Sequence, residues 1–212
     1  AVRAGTAVQF DGSNDYITFG TALGLSVSNV TAEVWFKRTG AGATTGTGGG
    51  GITDAIPLIS KGRGEEDGTP KDMNYILAIR ASDSRLVADF EAGPGSTGSL
   101  GQNYPVAGIT VISNNVWYHA AATYDGSNWR LYLNGVLETN LFVGQRLRLD
   151  SIQHASLASA LDSTGAAAGF FAGVLDEARI WNIARSATEI AENYRRQIVS
   201  APGLLGRWSL DE

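Results

Sequence analysis

Short apolar segments separated by turn residues recur along almost the whole chain, and this pattern constrains the fold more than any other feature. The segments are rich in valine, isoleucine and aromatic residues, which favour strands, and glycine, asparagine, aspartate and serine separate them. The 212 residues include 27 glycines, and glycine tolerates the backbone angles of tight turns. We therefore predict an all-β fold, a two-sheet antiparallel jelly-roll sandwich with one short helix near the C-terminus.

The predicted strands are the apolar segments between these turns. They cover residues 5–10, 16–19, 31–38, 57–61, 74–80, 85–91, 115–124, 129–133, 170–181 and 204–210. The Asn134-Gly135 pair predicts a type I′ hairpin turn. Residues 40–53 are predicted to be a glycine- and threonine-rich loop that packs no core, and residues 151–169 give no clear pattern.

The helix is predicted from a capping box. Ser186 and Glu189 have the spacing at which each side chain accepts a hydrogen bond from the backbone N–H of the other. Ile190 and Tyr194 then lie one turn apart on one face. We predict a helix over residues 187–197 that packs across the end of the sandwich.

Composition excludes several classes of protein. The net charge is −5 and the chain has no run of Lys or Arg, which argues against nucleic-acid binding. No apolar run reaches the roughly 18 residues of a membrane span. Cysteine is absent, so disulfides and cysteine-bound zinc are excluded, and oxygen-ligated calcium becomes a candidate staple.

Five segments spread over most of the chain carry a family resemblance. They are VQFDGSNDYITF (8–19), AEVWFKR (32–38), LISKG (58–62), WYHAAATYDGSNWRLYLNGVL (117–137) and GVLDEARIWNIARSATEI (173–190). Together they resemble the bacterial laminin-G-like (LamG) jelly-roll family of the concanavalin A-like lectin/glucanase superfamily. The resemblance implies one domain over residues 1–212, secreted or at the cell surface. The tail GLLGRWSLDE resembles a segment that links such modules, so we expect a module excised from a larger protein with neighbouring modules.

Asp176 is the first candidate metal ligand. Strict alternation along its predicted strand places it on one face with three apolar residues, Val174, Ala178 and Ile180. An ionised carboxylate on an apolar face requires a partner or a metal ion.

The turn DGSND at residues 11–15 offers further oxygen ligands. The resemblance implies a structural Ca²⁺ held by Asp11, Gly12, Asn14 and Asp176. The alternative is that Asp11 and Asn14 only form Asx turns and that backbone N–H groups satisfy Asp176.

A second group of acids lies in the predicted loop 62–72, namely Glu65, Glu66, Asp67 and Asp72. Pentraxins and animal laminin-G modules bind ligands through calcium at a loop rim, and these acids are candidates for such a site. A solvated charged loop is the interpretation that the sequence favours.

The chain shows no sequence signature of a glycosidase or a serine hydrolase. The Glu-x-Asp-x-x-Glu pattern of the related glucanases is missing, as is Gly-x-Ser-x-Gly. Asp176 and Glu177 are adjacent, so they face opposite sides of a strand, and His119 is expected to be structural. We predict that the protein is not an enzyme.

Gln102, Asn103 and Tyr104 are the candidate ligand-binding residues. Sugar faces stack on aromatic rings, and amides bond hydroxyl groups. The sequence thus predicts a calcium-binding module that recognises a carbohydrate or glycoconjugate, with a glycan or glycoprotein as partner. The alternatives are a structural or adhesive spacer that makes protein–protein contacts and a glycoside hydrolase or lyase on the same fold.

Overall fold

The computed structural model describes residues 7–211. Its elements, in chain order, are β1 (Val8–Asp11), β2 (Ile17–Thr18), a 3₁₀ turn (Leu23–Leu25), β3 (Val30–Arg38), β4 (Ala55–Lys61), β5 (Tyr75–Arg80), β6 (Arg85–Asp89), β7 (Val106–Val111), β8 (Trp117–Tyr124), β9 (Asn128–Leu133), β10 (Val136–Phe142), β11 (Ala155–Leu157), β12 (Ser159–Leu161), β13 (Ala167–Phe170), β14 (Ala172–Trp181), α1 (Ala187–Asn193) and β15 (Leu204–Trp208). The predicted all-β class with a short helix near the C-terminus is confirmed.

Two antiparallel sheets form the sandwich. The first sheet has the order β1–β14–β3–β8–β9–β10, and β15 pairs with the part of β14 that extends beyond β1. The second sheet has the order β2–β11–β4–β5–β6–β7, and β12 and β13 form a separate hairpin. Neighbours such as β1 and β14 are far apart in sequence, as the long connections of a jelly roll require.

The core lies between the two sheets because alternate residues of each strand point inward. The first sheet contributes Phe36 and Leu131, and the second contributes Leu77 and Phe90, all fully buried in one cluster. Burial of each such side chain contributes roughly 1.5–3 kcal/mol.

The turn between β9 and β10 has the predicted geometry. Asn134 and Gly135 both have positive φ, 50° and 80°, as a type I′ turn requires. Strands β9 and β10 pair directly on either side of it.

A bulge in β14 changes which residues face the core. The register with β3 shifts between Asp176 and Arg179, and Glu177 adopts a φ of 49°. Leu175 and Ala178 both belong to the core cluster, so Asp176, which follows Leu175, lies on the outer face. The prediction that Asp176 shares a face with Ala178 is wrong, because the bulge adds a residue to the strand.

Helix α1 begins at the predicted capping box. Ser186 Oγ accepts a hydrogen bond from Glu189 N at 3.2 Å, and the Glu189 carboxylate accepts one from Ser186 N at 2.8 Å. Ile190 packs on Ala121 and Tyr132, which point away from the core. The helix is therefore shorter than predicted and covers the outer face of the first sheet, not the end of the sandwich. Within residues 7–211, no helix has the length and apolar character to cross a membrane.

The outer face of the second sheet is covered by segments that the sequence left without core residues. Ile52 and Ala160 pack there on Ile76 and Val87. The prediction that residues 40–53 pack no core is therefore wrong. A single isoleucine in a glycine-rich turn gives no periodic signal, although the fold buries it.

Candidate functional site

Three acidic side chains meet where β4, β5 and β6 approach the same end of the second sheet. Asp67 and Asp72 lie in the connection from β4 to β5, and Glu91 follows β6. One carboxylate oxygen from each residue lies within 4.8 Å of those of the other two. Asp72 and Glu91 are fully buried, whereas Asp67 is exposed. We call Asp67, Asp72 and Glu91 the loop-end acidic cluster.

Local hydrogen bonds and strand geometry point these acidic side chains toward one another. Asp72 Oδ2 accepts a hydrogen bond from Gly68 N at 2.7 Å, which folds the loop back on itself. Asp67 Oδ2 accepts one from Gly49 N at 3.1 Å, which ties this loop to the preceding one. Glu91 follows a core residue, so alternation points its side chain to the outer face.

Asn103 borders the same space. An isolated β-bridge pairs it with Glu91 and closes the base of the 91–103 loop. Its side chain is buried, with only 6% of its surface exposed. The amide Nδ2 donates hydrogen bonds to Thr47 O at 2.7 Å and to Asp89 Oδ2 at 3.1 Å.

Three buried oxygens at this site accept no hydrogen bond from the described residues. They are Asp72 Oδ1, Glu91 Oε2 and Asn103 Oδ1. A buried acceptor without a donor costs about 1–3 kcal/mol. Three of them in one place indicate a site for a group that the protein itself does not supply.

Gly48 leaves the space between these oxygens open. It adopts a φ of 115°, and a methyl group built on it would collide with Glu91 Oε1. The same methyl group would lie 2.9 Å from Asn103 Oδ1 and 3.0 Å from Asp67 Oδ1. Oxygens from three separate segments therefore face one small space beside a glycine.

The charge of the cluster is poorly balanced. Burial raises the pKa of Asp72 to about 7, against the lowering effects of the Gly68 N–H and the Arg148 charge. Arg148 Nε lies 3.8 Å from Asp72 Oδ2, and in residues 7–211 it is the one cationic group within 4.0 Å of the cluster's carboxylates. Three acids thus face one guanidinium group.

The cluster can hold a metal ion, because carboxylate and amide oxygens are ligands for hard cations. A cation would lower the pKa of Asp72, which burial raises, and would bind the oxygens that lack hydrogen-bond donors.

The structure places the predicted calcium ligands apart. Asp11 pairs with Ala172, four residues from Asp176 along β14, which separates the two by about 13 Å at roughly 3.3 Å per residue. Asp11 Oδ1 accepts hydrogen bonds from Ser13 N at 2.7 Å and Asn14 N at 3.2 Å, the Asx-turn alternative. These hydrogen bonds lower the pKa of Asp11. The structure does not bring the two carboxylates together.

Gly12 and Asn14 lie in the same turn as Asp11, away from Asp176. Asp176 Oδ1 has no hydrogen-bond donor among the described residues. Burial, with the added charge of Glu177, raises the pKa of Asp176 to about 6. Metal binding by Asp176 stays a prediction.

The three predicted ligand-binding residues divide between two environments. Tyr104 Oη donates to Gln102 Oε1 at 3.1 Å, and Gln102 is exposed. The Tyr104 ring packs against Phe90, with centroids 5.3 Å apart. Asn103 instead points into the acidic cluster.

A cavity of about 620 Å³ opens beside the 91–103 loop. Its lining includes Asn29, Pro94, Thr97, Gln145, Arg146 and Asp150. Arg148 connects the cavity to the cluster, since its NH1 lies 3.3 Å from Asp150 Oδ1. One wall of the cavity is therefore the loop whose base carries Glu91 and Asn103.

Glu91 is not among the metal ligands predicted from the sequence. The signal that could have found it is an acid directly after the core residue Phe90, where alternation points the side chain away from the core. For Asp67 and Asp72 the sequence favours a solvated loop, which is wrong for Asp72 because the loop folds back and buries it.

The family model described as the concanavalin A-like lectin/glucanases superfamily matches residues 11–191. The chain belongs to this superfamily. Among curated proteins, no sequence matches it.

Several solved structures resemble this chain in fold. A proposed carbohydrate-binding protein from Bacteroides ovatus is 19% identical with a TM-score of 0.61, over 97% of this chain and 48% of that protein. The CBM40 of the Ruminococcus gnavus IT-sialidase, bound to α2,3 sialyllactose, is 15% identical with a TM-score of 0.64, over 88% and 95%. Domain 4 of an extracellular arabinanase from Geobacillus stearothermophilus, in complex with arabinotriose, is 17% identical with a TM-score of 0.59, over 90% and 77%. The chain thus spans about half of the Bacteroides protein, and the likeness concerns the fold.

Proposed function

We propose that this chain is a non-catalytic module that recognises a carbohydrate or glycoconjugate and depends on calcium. The observation that carries the proposal is the position of the loop-end acidic cluster. It lies at the base of the 91–103 loop, and that loop forms one wall of the cavity. Membership of a lectin-containing superfamily supports the same function.

Calcium is the ion that suits the site best. Ca²⁺ accepts six to eight oxygen ligands in flexible geometry, and the cluster offers three carboxylates on two separate segments. Extracellular modules bind Ca²⁺ with dissociation constants of about 10⁻⁴–10⁻³ M. A secreted or cell-surface location, where calcium reaches such concentrations, belongs to the proposal.

The ion would act on the glycan through the loop. Calcium at Glu91 would hold the base of the 91–103 loop and so keep the cavity wall in place. Thr97 and Gln145 line the cavity, and Gln102 and Tyr104 lie beside them, where their polar groups can contact sugar hydroxyls. Such contacts orient a ligand without any reaction.

A glycan-binding assay tests this function. Sialyllactose, arabinotriose and a glycan array are offered to the wild-type protein in calcium and in EGTA, and to Asp72→Asn and Tyr104→Ala in calcium. We expect binding in calcium, loss in EGTA, loss in Asp72→Asn, and weakened binding in Tyr104→Ala. A calcium-loaded, folded protein that binds no glycan would favour the structural or adhesive module, and cleaved glycans would overturn the non-catalytic assignment.

Thermal unfolding locates the ion. A ligand at about 100 times its dissociation constant adds roughly 2.7 kcal/mol to stability. We expect the wild type and Asp176→Asn to be stabilised by calcium and Asp72→Asn to show no response. In EGTA, Asp72→Asn should equal or exceed the wild type, since it removes a buried like charge. The reverse pattern, with the response lost only in Asp176→Asn, would place the ion at the site that the family resemblance implies.

A further inference from the structure

The amide group of Asn103 has a fixed direction. Its Nδ2 donates to Thr47 O at 2.7 Å, to Asp89 Oδ2 at 3.1 Å and, more weakly, to Glu91 Oε1 at 3.4 Å. If the amide were turned round, its oxygen would face these three acceptors, which is repulsive. The hydrogen bonds therefore hold Oδ1 on the opposite side of the group.

On that opposite side, Oδ1 faces the acidic cluster. It has no donor among the described residues, although the side chain is only 6% exposed. A methyl group on Gly48 would lie 2.9 Å from Oδ1 and 3.0 Å from Asp67 Oδ1, and would collide with Glu91 Oε1. Asn103 Oδ1, Glu91 Oε1 and Asp67 Oδ1 thus face one small space, which is unfavourable unless a cation lies between them.

Asp89 holds this arrangement from behind. Its Oδ2 accepts hydrogen bonds from Thr47 Oγ1 at 2.6 Å and from Asn103 Nδ2, and its Oδ1 accepts one from Tyr104 N at 2.9 Å. Both oxygens of Asp89 are thus engaged in hydrogen bonds within the chain. Metal sites commonly orient their ligands through such hydrogen bonds from the other end of the side chain.

We propose that Asn103 Oδ1 is a fourth protein ligand of the cation in the loop-end acidic cluster, and that Asp89 is the positioning residue that turns this oxygen toward it. The inference deepens the proposed function and rests on its calcium site. With Glu91 and Asn103 both bound, the ion clamps the two ends of the 91–103 loop. Asn103 then serves the metal, and Gln102 and Tyr104 remain for the glycan.

Calcium titration of the EGTA-stripped, dialysed protein tests the assignment. Calorimetry with CaCl₂ compares the wild type, Asn103→Ala, Asp89→Asn and the control Asn140→Ala, an exposed asparagine on β10 outside the cluster. We expect Asn103→Ala and Asp89→Asn to weaken calcium binding by about 10- to 100-fold. Asn140→Ala should bind calcium as the wild type does.

A second readout separates positioning from a structural role. The side-chain amide NMR signal of Asn103 should shift when CaCl₂ is added to the wild type, and the shift should be reduced in Asp89→Asn. The melting temperature in EGTA shows whether each variant folds without the ion. A purely structural Asp89 would lower that temperature and leave the calcium affinity of the folded protein unchanged.

The outcomes distinguish this inference from the proposed function. If the wild type binds no calcium, both the calcium site and the inference are overturned. If the wild type binds calcium and a folded Asn103→Ala binds it equally well, only the inference is overturned. If Asn103→Ala does not fold, the affinity of Asp89→Asn and the Asn103 amide shift decide: both changed supports the inference, and both unchanged overturns it.

Discussion

The outer faces of the two sheets both bury charged side chains, but they balance that charge in different ways. Beneath α1, Glu33 faces His119, Arg179 and Arg185, so one acid meets a surplus of cationic groups. At the loop end, three acids face a single guanidinium among the described residues, that of Arg148. The charge of the first cluster, which we call the Glu33 cluster, is balanced by the chain's own arginines, although Glu33 Oε2 and Arg179 NH2 make no hydrogen bond with the described residues. The charge of the second cluster is not balanced, so it calls for a cation from outside.

Three groups of the chain contact one carboxylate oxygen in the Glu33 cluster. Arg179 Nε and Arg185 NH1 each lie 3.1 Å from Glu33 Oε1, and Trp181 Nε1 donates to the same oxygen at 2.8 Å. Burial alone would raise the pKa of Glu33, but the hydrogen bond with His119 and the arginine charges lower it to about 2. At the loop end, burial raises the pKa of Asp72 to about 7. Both carboxylates are fully buried, yet their pKa values shift in opposite directions, because the neighbouring charges differ.

The largest expected effect on the free energy of unfolding comes from removing the carboxylate of Glu33. Glu33→Ala leaves Arg179 and Arg185 buried without a counter-charge, and breaking a buried pair in this way costs about 3–5 kcal/mol. Urea unfolding in calcium and in EGTA should show the same loss. The exposed helix residue Glu192 is the control, and Glu192→Ala should stay within about 0.5 kcal/mol of the wild type. A loss confined to one calcium condition would mean that the two clusters are coupled.

Acid should weaken the ion pairs of Glu33 over a defined pH range. The folded pKa of Glu33 is about 2 and the ordinary value is 4.5, so its contribution is present above pH 4.5 and is lost as the pH falls toward 2. Burial lowers the pKa of His119 below 6.5, so its protonation on acidification also favours unfolding.

Between about pH 4.5 and pH 2, the unfolding free energy measured without calcium should therefore fall by a few kcal/mol, whereas between neutral pH and about pH 4 the raised pKa values of Asp72 and Asp176 act in the opposite direction. Glu33→Gln should start less stable and show a flatter decline below pH 4.5. A wild-type profile that stays level to about pH 2 would contradict the ionised, paired state of Glu33.

The smallest effect on stability is expected at two neighbouring glycines, of which only one should affect calcium binding. Gly48 and Gly50 both have positive φ, so alanine at either costs roughly 1 kcal/mol in EGTA. Only the Gly48 methyl group enters the space between the cluster oxygens, whereas Gly50 has nothing within 4 Å. Gly48→Ala should therefore lose the calcium-induced rise in melting temperature, and Gly50→Ala should keep it. An equal rise in both variants would show that the ion lies elsewhere.

Local interactions made much of the fold predictable. The capping box of Ser186 and Glu189 and the turn at Asn134 and Gly135 each depend on a few adjacent residues, and the structure contains both. The main strands followed from apolar segments between turns. Strands β11, β12 and β13 were not predicted, because the alanines and serines of residues 151–169 are buried without an apolar alternation.

The candidate site was predictable only in fragments. Asp67 and Asp72 are close in sequence and lie in one predicted loop, whereas Glu91 and Asn103 come from the two ends of another loop. Their meeting depends on the pairing of β4, β5 and β6 and on a glycine turn that leaves space between them. No local pattern records those distances.

The sequence by itself determined the all-β class, the family and the punctuation of the strands, since these depend on side-chain alternation and on turns of a few residues. Only the tertiary structure decided which acids are buried and how their charge is balanced. The bulge turned Asp176 outward, and the folded loop carried Asp72 inward. The physical reason is that the free energy of a buried charge depends on every group within a few ångströms, and the fold brings those groups together from distant parts of the chain.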